Sequence, residues 1–282
     1  MNRPELYSKN NTVQERENNY FLDKYLSSET WKDGESILEI GMGDGKYTVE
    51  TFRFRLPRNL KRYVATDVSE EMVQFAKKKY GMVNDFNIEF RTLDAEGDSI
   101  PDEFINHFDH VVSFLCFHWI VKPRRAAENI FNMLKPGGKL AVFFLEKNTA
   151  GDVFFNMSQH PKWGSYGYEK YISDFLWSDD PQTEWENAFL EVGFVNIRKF
   201  SENRTTLFPD EMHFNGFNMA LDPVFSKIPE EDKDSYLKDY LEEARKGKLN
   251  FVRFNPDTKK KEFGMNYKLL YFVAAKPAFS MS

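Results

Sequence analysis

Short runs of β-branched and aromatic residues alternate with segments of helical periodicity between residues 36 and 145 of this 282-residue chain. Such alternation predicts a parallel α/β sheet, because parallel strands need a crossover connection that is usually a helix. Ligands of these sheets bind beyond the carboxyl ends of the strands. The predicted strands are 36–40, 62–66, 88–93, 109–115 and 139–145, and the predicted helices are 46–54, 70–80 and 124–134.

The alternation continues less regularly towards the C-terminus. A helix begins after Asp180, a strand is predicted at 194–200, and the last strand is predicted at 268–275. We therefore predict a doubly wound sheet of about seven strands. Residues 146–179 and 209–262 break the pattern, and we interpret both as insertions over one end of the sheet.

Composition and charge exclude several classes of protein. The chain has 38 Lys and Arg against 44 Asp and Glu, so it lacks the basic field that attracts nucleic acid. Its single cysteine, Cys116, excludes an intrachain disulfide and a cysteine-based zinc site, and it favours a reducing compartment. The sequence shows neither an apolar signal segment nor a run long enough to cross a bilayer. We expect a soluble, cytoplasmic protein without membrane insertion.

A glycine-rich loop follows the first predicted strand. In Glu39-Ile40-Gly41-Met42-Gly43-Asp44-Gly45, glycines at alternate positions allow positive φ angles and a close approach of the backbone to a ligand. Asp44 lies inside the loop, where it would repel a pyrophosphate, so a dinucleotide is disfavoured. The loop favours a neutral or cationic ligand, with a plain tight turn as the alternative.

Two further aspartates end the next two strands. Asp67 is placed to accept hydrogen bonds from a ribose diol, and Asp94 is placed to receive an exocyclic amino group. Carboxylates around a nucleoside that carries a positive sulfur instead of phosphate are typical of an S-adenosylmethionine site. Each aspartate could also be only a strand-end cap, and that alternative stays open here.

Residues that flank this region are candidates for contacting a second ligand. Gln14 falls on the buried face of a predicted N-terminal helix, where its amide needs either the backbone or a ligand as partner. His118 and Trp119 follow the fourth strand, at the edge of the sheet where a second ligand is expected. Trp119 offers only a donor, whereas His118 can donate or act as a base; packing roles are the alternative for both.

Aromatic residues are more abundant than a core of this size requires. They form 16% of the chain, including 28 Phe, and 10 Met add to them. Many fall in the two insertions, which predicts an apolar substrate tunnel, although each residue alone could equally be part of the core. The candidates are Phe154, Phe155, Trp163, Tyr166, Tyr171, Phe175, Phe208, Phe214 and Phe217.

Residues 36–145 resemble a class I S-adenosylmethionine-dependent methyltransferase. The resemblance rests on the glycine loop, on Asp67, and on Leu134-Lys135-Pro136-Gly137-Gly138 before the fifth strand. It implies a Rossmann-like doubly wound seven-stranded sheet with a substrate cap, S-adenosylmethionine as the methyl donor, and no metal. The cofactor contacts that it implies are Gly41, Met42, Gly43, Asp44, Asp67, Val68, Asp94, Ala95, Ser113 and Phe114.

The flanking segments are similar to the insect juvenile hormone acid methyltransferases. The similarity implies methyl transfer to the carboxylate of a terpenoid acid, farnesoic acid or juvenile hormone acid. Gln14 and Trp119 would hold the carboxylate as catalytic residues. Further candidate substrate contacts, which rest on position and not on this similarity, are His118 after the fourth strand and Phe154, Trp163 and Tyr166 in the aromatic-rich insertion. The matching segments are Pro4-Glu5-Leu6-Tyr7-Ser8-Lys9-Asn10 with Gln14, Ser69-Glu70-Glu71-Met72-Val73, Phe117-His118-Trp119-Ile120 and Asn129-Ile130-Phe131-Asn132-Met133-Leu134.

Two departures from the family pattern leave alternatives open. Met42 replaces the usual cysteine of the loop, and Phe117 stands where leucine is common, so a paralogue with shifted activity or substrate is one alternative. A methyltransferase for another small acid or amine, and a degenerate fold that only binds the hormone acid, are others. We expect a helical lid at 1–35, a cofactor core at 36–145 and the remainder of the sheet at 146–282. The insertions 146–179 and 209–262 would form the substrate cap, and the protein would be a monomer or homodimer.

Overall fold

The computed structural model describes residues 3–26, 30–82 and 87–278. The predicted lid begins with helices α1 (Pro4–Asn10) and α2 (Thr12–Phe21), and α2 continues into a π-helical turn at Leu22–Leu26. Residues 1–2 and 27–29 of that lid lie outside the described residues. Among the described residues, no helix has the length and apolar character needed to cross a bilayer.

The predicted parallel sheet is present, with strands in the order β3-β2-β1-β4-β5. Strands β1, β2 and β4 and residues 140–144 of β5 are almost entirely buried, which explains their nearly continuous apolar sequences. Strand β3, at the edge of the sheet, instead alternates buried apolar residues with more exposed polar ones. The elements are β1 (Ser36–Ile40), α3 (Lys46–Glu50), β2 (Arg62–Asp67), α4 (Glu70–Tyr80), β3 (Ile88–Thr92), β4 (Phe108–Phe114), α5 (Pro123–Met133) and β5 (Leu134–Leu145).

Two of these elements differ from the prediction. Helix α3 stops at Glu50 and passes into a 3₁₀ turn at Phe52–Arg55, because Thr48, Val49 and Thr51 are poor helix formers. Strand β5 begins at Leu134, which pairs with Phe108 before the register shifts. The segment Leu134-Lys135-Pro136-Gly137-Gly138, predicted to precede the fifth strand, is therefore the irregular first part of β5.

The second half of the chain completes the sheet with antiparallel strands. Strand β8 lies between β5 and β6, so the full order is β3-β2-β1-β4-β5-β8-β6, and an additional strand, β7, also pairs with β8. The remaining elements are α6 (Gly151–Ser158), α7 (Pro181–Glu191), β6 (Val195–Phe208), α8 (Glu211–Leu221), α9 (Lys233–Lys246), β7 (Asn250–Asn255) and β8 (Lys260–Ala275).

Strands β6 and β8 are about twice as long as predicted, and they extend past the carboxyl edge of the parallel sheet. Leu145, the last residue of β5, pairs with Leu269, and the part of β8 before that point pairs with β6 and β7 instead. We call this three-stranded part the β-extension (203–208, 250–255 and 260–268). It forms one wall above the edge where the parallel strands end.

The apolar core lies on both faces of the sheet, as the alternation of side chains along each strand requires. Phe143 and Tyr271 belong to one side, whereas their neighbours Phe144 and Phe272 belong to the other. Phe21 stacks on Phe143 at 4.8 Å and on Tyr271 at 5.3 Å between ring centroids. Part of the aromatic surplus therefore holds the N-terminal helices on the sheet.

Candidate active site

The glycine loop connects β1 to α3 in a conformation that requires glycine. Gly41 has φ +78°, and a Cβ on it would lie 2.3 Å from Cys116 Sγ. The amides of Gly41 and Met42 both donate to the carbonyl of Thr66, at 2.8 Å each, which fixes the loop against the end of β2. The positive φ angle and these two hydrogen bonds therefore hold the loop backbone in place at the end of β1.

A cavity that we call the cofactor cavity lies at the carboxyl ends of the parallel strands. Five predicted cofactor residues line it together with six others. The lining is Ile40, Gly41, Asp67, Val68, Leu93, Asp94, Ala95, Glu96, Cys116, Trp119 and Ile120.

The other predicted cofactor residues lie beside or below this lining. Met42 and Phe114 are buried in the core, and the Ser113 hydroxyl donates to the carbonyl of Ile40 at 2.7 Å. The Gly43 amide donates to Asp67 Oδ2 at 2.9 Å. The structure thus gives these four residues a supporting position rather than a place on the cavity wall.

Two acidic side chains of the cofactor cavity are held in place by backbone amides. Besides the Gly43 bond, Asp67 accepts from the Ser69 amide at 2.9 Å, and burial raises the pKa of Asp67 despite these bonds. Glu96 accepts from the Val121 amide at 2.8 Å, and burial raises its pKa as well. Glu96 was not predicted as a site residue, although its position two residues after Asp94 could have indicated it.

Asp44 is covered by the N-terminal helix α1. It accepts from the Lys46 amide at 3.2 Å and from Ser8, while Oδ2 has no partner among the described residues. Burial raises the pKa of this carboxyl. The ring of Tyr7, also on α1, comes within 3.2 Å of the position that a Cβ on Gly43 would take. Helix α1 therefore closes one side of the glycine loop.

A second cavity, which we call the substrate cavity, lies between α2, the 3₁₀ turn after β4, α8 and the β-extension. Trp119 lines this cavity and also the cofactor cavity. The other lining residues are Tyr7, Val13, Gln14, Glu17, Leu115, His118, Leu145, Thr149, Phe217, Leu221, Met265 and Tyr267.

Gln14, His118 and Trp119, predicted separately, thus line the same cavity. Gln14 Oε1 is buried and has no partner within the described residues. Burial lowers the pKa of His118 to about 3, so its ring is neutral. Its Nδ1 accepts from the Leu145 amide at 3.4 Å, which places the proton on Nε2. Apart from the Glu17 carboxylate, which is paired with Arg204 at 3.1 Å, the polar groups that line the cavity are neutral, and they lie beside an apolar space.

Three predicted substrate contacts lie elsewhere. Phe154 is fully buried between Trp119 and Tyr168, and Trp163 is fully buried and donates to Asp239 Oδ2 at 2.8 Å. Tyr166 packs against Trp163 instead of the cavity. These residues form the core of the cap, because the short helices of the insertion pack on each other and not on an open tunnel.

The sequence analysis did not predict nine of the residues that line this cavity, which are Tyr7, Val13, Glu17, Leu115, Leu145, Thr149, Leu221, Met265 and Tyr267. Glu17 stands one helical turn after Gln14, and that spacing was the available signal. Met265 and Tyr267 reach the cavity from the β-extension, and Leu221 reaches it from α8. No local pattern points to these three, because their position depends on pairing and packing over long sequence distances.

Comparison with known proteins identifies the family. Residues 38–142 match the methyltransferase domain family. The whole chain is 31% identical over 284 residues to the juvenile hormone acid O-methyltransferase of Bombyx mori, with 100% of both chains covered. This chain belongs to the juvenile hormone acid O-methyltransferase family. The Drosophila melanogaster member is 30% identical, with 98% of this chain and 93% of that protein covered. The predicted family and the S-adenosylmethionine-dependent methyltransferase class are confirmed.

Solved structures agree on the fold. The YcgJ protein of Bacillus subtilis superposes with a TM-score of 0.58 at 16% identity, covering 92% of this chain and 99% of that one. Phosphoethanolamine N-methyltransferase 2 of Haemonchus contortus, solved with S-adenosylhomocysteine, has a TM-score of 0.57 at 19% identity, covering 97% of this chain and 57% of that one. These likenesses confirm the Rossmann-like fold and carry no argument about the substrate.

The cofactor cavity suits the donor that such methyltransferases use. Asp67, Asp94 and Glu96 supply acceptors and negative charge, and none of the residues that line the cavity is basic, so it lacks a phosphate partner. Among residues 3–26, 30–82 and 87–278, no group of three or more His, Cys, Asp or Glu side chains is placed to hold a metal ion.

Proposed function

We propose that this enzyme methylates the carboxylate of a sesquiterpenoid acid, farnesoic acid or juvenile hormone acid. The observation that carries the proposal is the position of Trp119 on the wall shared by the cofactor and substrate cavities. A ligand that fills the substrate cavity and contacts Trp119 lies next to the cofactor cavity. The relatives from silkworm and fruit fly carry this activity in their names, which supports the same substrate class here.

The cofactor would be held by the backbone at Gly41 and by the carboxylates of Asp67 and Asp94. Asp67 accepts hydroxyl donors such as a ribose diol, and its orientation is fixed by the amides of Gly43 and Ser69. When bound, S-adenosylmethionine supplies a methyl group on a positively charged sulfur. The acidic rim favours that charge.

The carboxylate would be held by neutral donors. A carboxylic acid with a pKa near 4.3 is already ionised at pH 7, so the reaction needs no general base. Gln14 and Trp119 donate hydrogen bonds that fix the anion, and the neutral His118 adds its Nε2 proton as a third donor. Because charge disappears as the ester forms, a lysine or arginine here would oppose the reaction by stabilising the ground state.

The hydrocarbon part would occupy the apolar walls of the substrate cavity. Val13, Leu115, Phe217, Leu221 and Met265 surround it on different sides. Burial of about 15 carbons at about 0.8 kcal/mol per methylene gives an upper limit on the order of 10 kcal/mol before the entropy of association is subtracted. Binding energy from the chain thus positions the carboxylate, and positioning alone can lower a barrier by about 7–11 kcal/mol.

The test is an assay of purified enzyme with S-adenosylmethionine and farnesoic acid, followed by detection of the methyl ester. We expect Gln14→Ala to lower turnover about 100-fold with little change in S-adenosylhomocysteine affinity, because Gln14 lines only the substrate cavity. Trp119→Leu should lower turnover by a similar factor and far more than it lowers that affinity, since Trp119 also lines the cofactor cavity. Asp67→Ala should instead lose cofactor affinity first. Gln74→Ala on α4 and Trp177→Leu, whose side chain is 53% exposed, are the matched controls.

Two results would reject the proposal. One is folded, cofactor-bound enzyme that forms no methyl ester of either acid, while a panel of other small acids or amines is methylated. The other is normal turnover in the Gln14 and Trp119 variants. Failure to bind S-adenosylhomocysteine while a terpenoid acid binds would indicate a carrier instead of an enzyme.

A further inference from the structure

The β7–β8 hairpin ends in an exposed tip with both apolar and basic side chains. Phe254 and Val252, two residues apart on one face of β7, are 63% and 38% exposed. Phe254 pairs across the hairpin with Lys261, and Lys259 takes a left-handed conformation, φ +54°, in the turn. Within the described residues, Phe254 stacks on no other aromatic ring, and most of its surface is exposed beside the lysines.

The positive charge of the tip is local. Residues 253–262 carry four basic and two acidic side chains, although the whole chain has a net charge of −6. Arg253 is paired with Glu262, with 2.8 Å between Nε and Oε2. In the described part of the chain, Lys259, Lys260 and Lys261 make no ion pair with an acidic side chain. Their charges are available to an external anion.

The face of the β-extension that carries Phe254 continues into the substrate cavity. Lys261, Phe263, Met265 and Tyr267 stand at two-residue intervals along β8, so their side chains share this face. Phe263 is buried next to the tip, and Met265 and Tyr267 line the cavity. Met265 lies four positions after Lys261 along β8, so the distance between their Cα atoms is about 13 Å. The tip is therefore the outer end of the cavity wall.

We infer that this tip docks on the surface of an anionic phospholipid bilayer. The Phe254 ring enters the headgroup region, and the three unpaired lysines contact the anionic headgroups, a combination that favours interfacial binding without crossing the membrane. Docking would bring the wall of the substrate cavity to the lipid bilayer, into which an apolar acid partitions. The docking does not depend on the proposed function, whereas the uptake of an acid substrate from the bilayer rests on it.

The experiment is flotation of the full chain with vesicles of phosphatidylcholine, alone or mixed with phosphatidylserine. We expect binding to the mixed vesicles, weakened about tenfold or more without phosphatidylserine and reduced by added salt. Phe254→Ser should weaken binding about tenfold, and the triple variant K259E/K260E/K261E should abolish it. The matched control is K77E/K78E/K79E, which makes the same charge change on the exposed face of α4 and should leave binding unchanged.

Three outcomes would overturn the inference. The first is absence of binding to the mixed vesicles, and the second is an equal loss of binding in the α4 control. The third is a particle mass in solution above that of one chain that falls when Phe254 is replaced, which would make the tip an interface between copies. Calorimetry with S-adenosylhomocysteine checks that each variant is folded. Because flotation needs no methyl transfer, its result is independent of the substrate test.

Discussion

The cofactor core and the cap hold their shapes in different ways. In the core, residues 36–145, each strand leads into a loop and a helix that contact the next strand, and the glycine loop is fixed by bonds to β2. In the cap, polar side chains from distant parts of the chain meet in the interior. Tyr236 donates to Asp222 Oδ2 at 2.7 Å, and Tyr267 of the β-extension donates to Glu17 of α2 at 2.8 Å.

This difference indicates where each region tolerates change. The glycine loop of the core depends on backbone conformation at a few positions, where a single added atom has no space, although Glu39 also gives the core a buried carboxylate with hydroxyl partners. The cap depends mainly on buried hydroxyl and carboxylate groups that need each other as partners. We therefore expect steric conflict to disrupt the glycine loop, and the loss of one partner to disrupt the cap.

The largest effect is expected from Gly41→Ala. The new Cβ would meet the Cys116 side chain at 2.3–2.4 Å, in a backbone conformation that alanine rarely adopts. We expect a loss of about 3 kcal/mol in the free energy of unfolding and about 100-fold in S-adenosylhomocysteine affinity, measured by denaturation and calorimetry.

Gly34→Ala is the matched control for this substitution. Gly34 has φ +81°, but a Cβ there would meet nothing within 4 Å. It should lose only the backbone cost of about 1 kcal/mol and keep normal cofactor affinity. If both variants lost the same free energy of unfolding and the same cofactor affinity, the backbone conformation alone would explain why glycine is needed at position 41. A steric clash with Cys116 would then be excluded as the cause.

A second test of the core uses Glu39, which is buried beneath the glycine loop. It accepts from Thr48 Oγ1 at 3.0 Å and from the Tyr63 hydroxyl, yet burial raises its pKa from 4.5 to about 7. The folded state thus holds the proton more tightly than the unfolded state. Its stabilising contribution is complete below pH 4.5 and is lost as the pH rises through 7, about 3 kcal/mol in total.

Glu39→Gln removes this titration and keeps an acceptor for one of the two hydroxyl donors. The difference in unfolding free energy between wild type and variant should therefore change by about 3 kcal/mol between pH 4.5 and pH 8, in favour of the variant at high pH. Denaturation at a series of pH values measures it. Parallel curves would mean that Glu39 titrates as it does in the unfolded chain.

In the cap, Tyr236→Phe should cost about 2 kcal/mol of unfolding free energy. The hydroxyl of Tyr236 links Tyr168 to the buried carboxylate of Asp222, and its removal leaves both with one partner fewer. Tyr240→Phe is the control, since this equally buried hydroxyl donates only to the carbonyl of Asn218 at 3.1 Å. We expect about 1 kcal/mol for the control and unchanged cofactor affinity in both variants. Equal losses would show that the carboxylate link adds nothing.

The sequence predicts the core of the fold well and the cap poorly. Strand β1 and helix α4 have the predicted bounds, because their apolar periodicity matches their burial. Residues 201–206 of β6 are polar and mostly exposed or half-buried, and they become a strand only by pairing with β8. Strand β7 also depends on pairing with β8. Its sequence contains Phe and Val, which favour a strand, but three of its six residues are exposed and no buried face marks it in the sequence.

The same limit applies to the candidate site. Gln14, His118 and Trp119 could be found because each is a polar group at a predictable place on a helix or at a strand end. Phe154 and Trp163 were predicted as substrate contacts because aromatic composition does not distinguish a cavity wall from a core. Only the packing of the cap decides that question, and both side chains are fully buried within it.

The smallest effect is expected from Gly216→Ala, where α8 meets α1. A Cβ on Gly216 would lie 2.3 Å from Asn10 Oδ1, as close as the contact at Gly41, but the backbone is helical and the obstructing atom ends a side chain that can rotate. Alanine also favours the helix by about 1 kcal/mol, which offsets the cost of moving Asn10. The free energy of unfolding should stay within about 1 kcal/mol of wild type, and N10A/G216A should restore any loss. A penalty as large as that of Gly41→Ala, unrelieved in the double variant, would mean that the joint between lid and cap is as rigid as the glycine loop, and the contrast between the two regions would not hold.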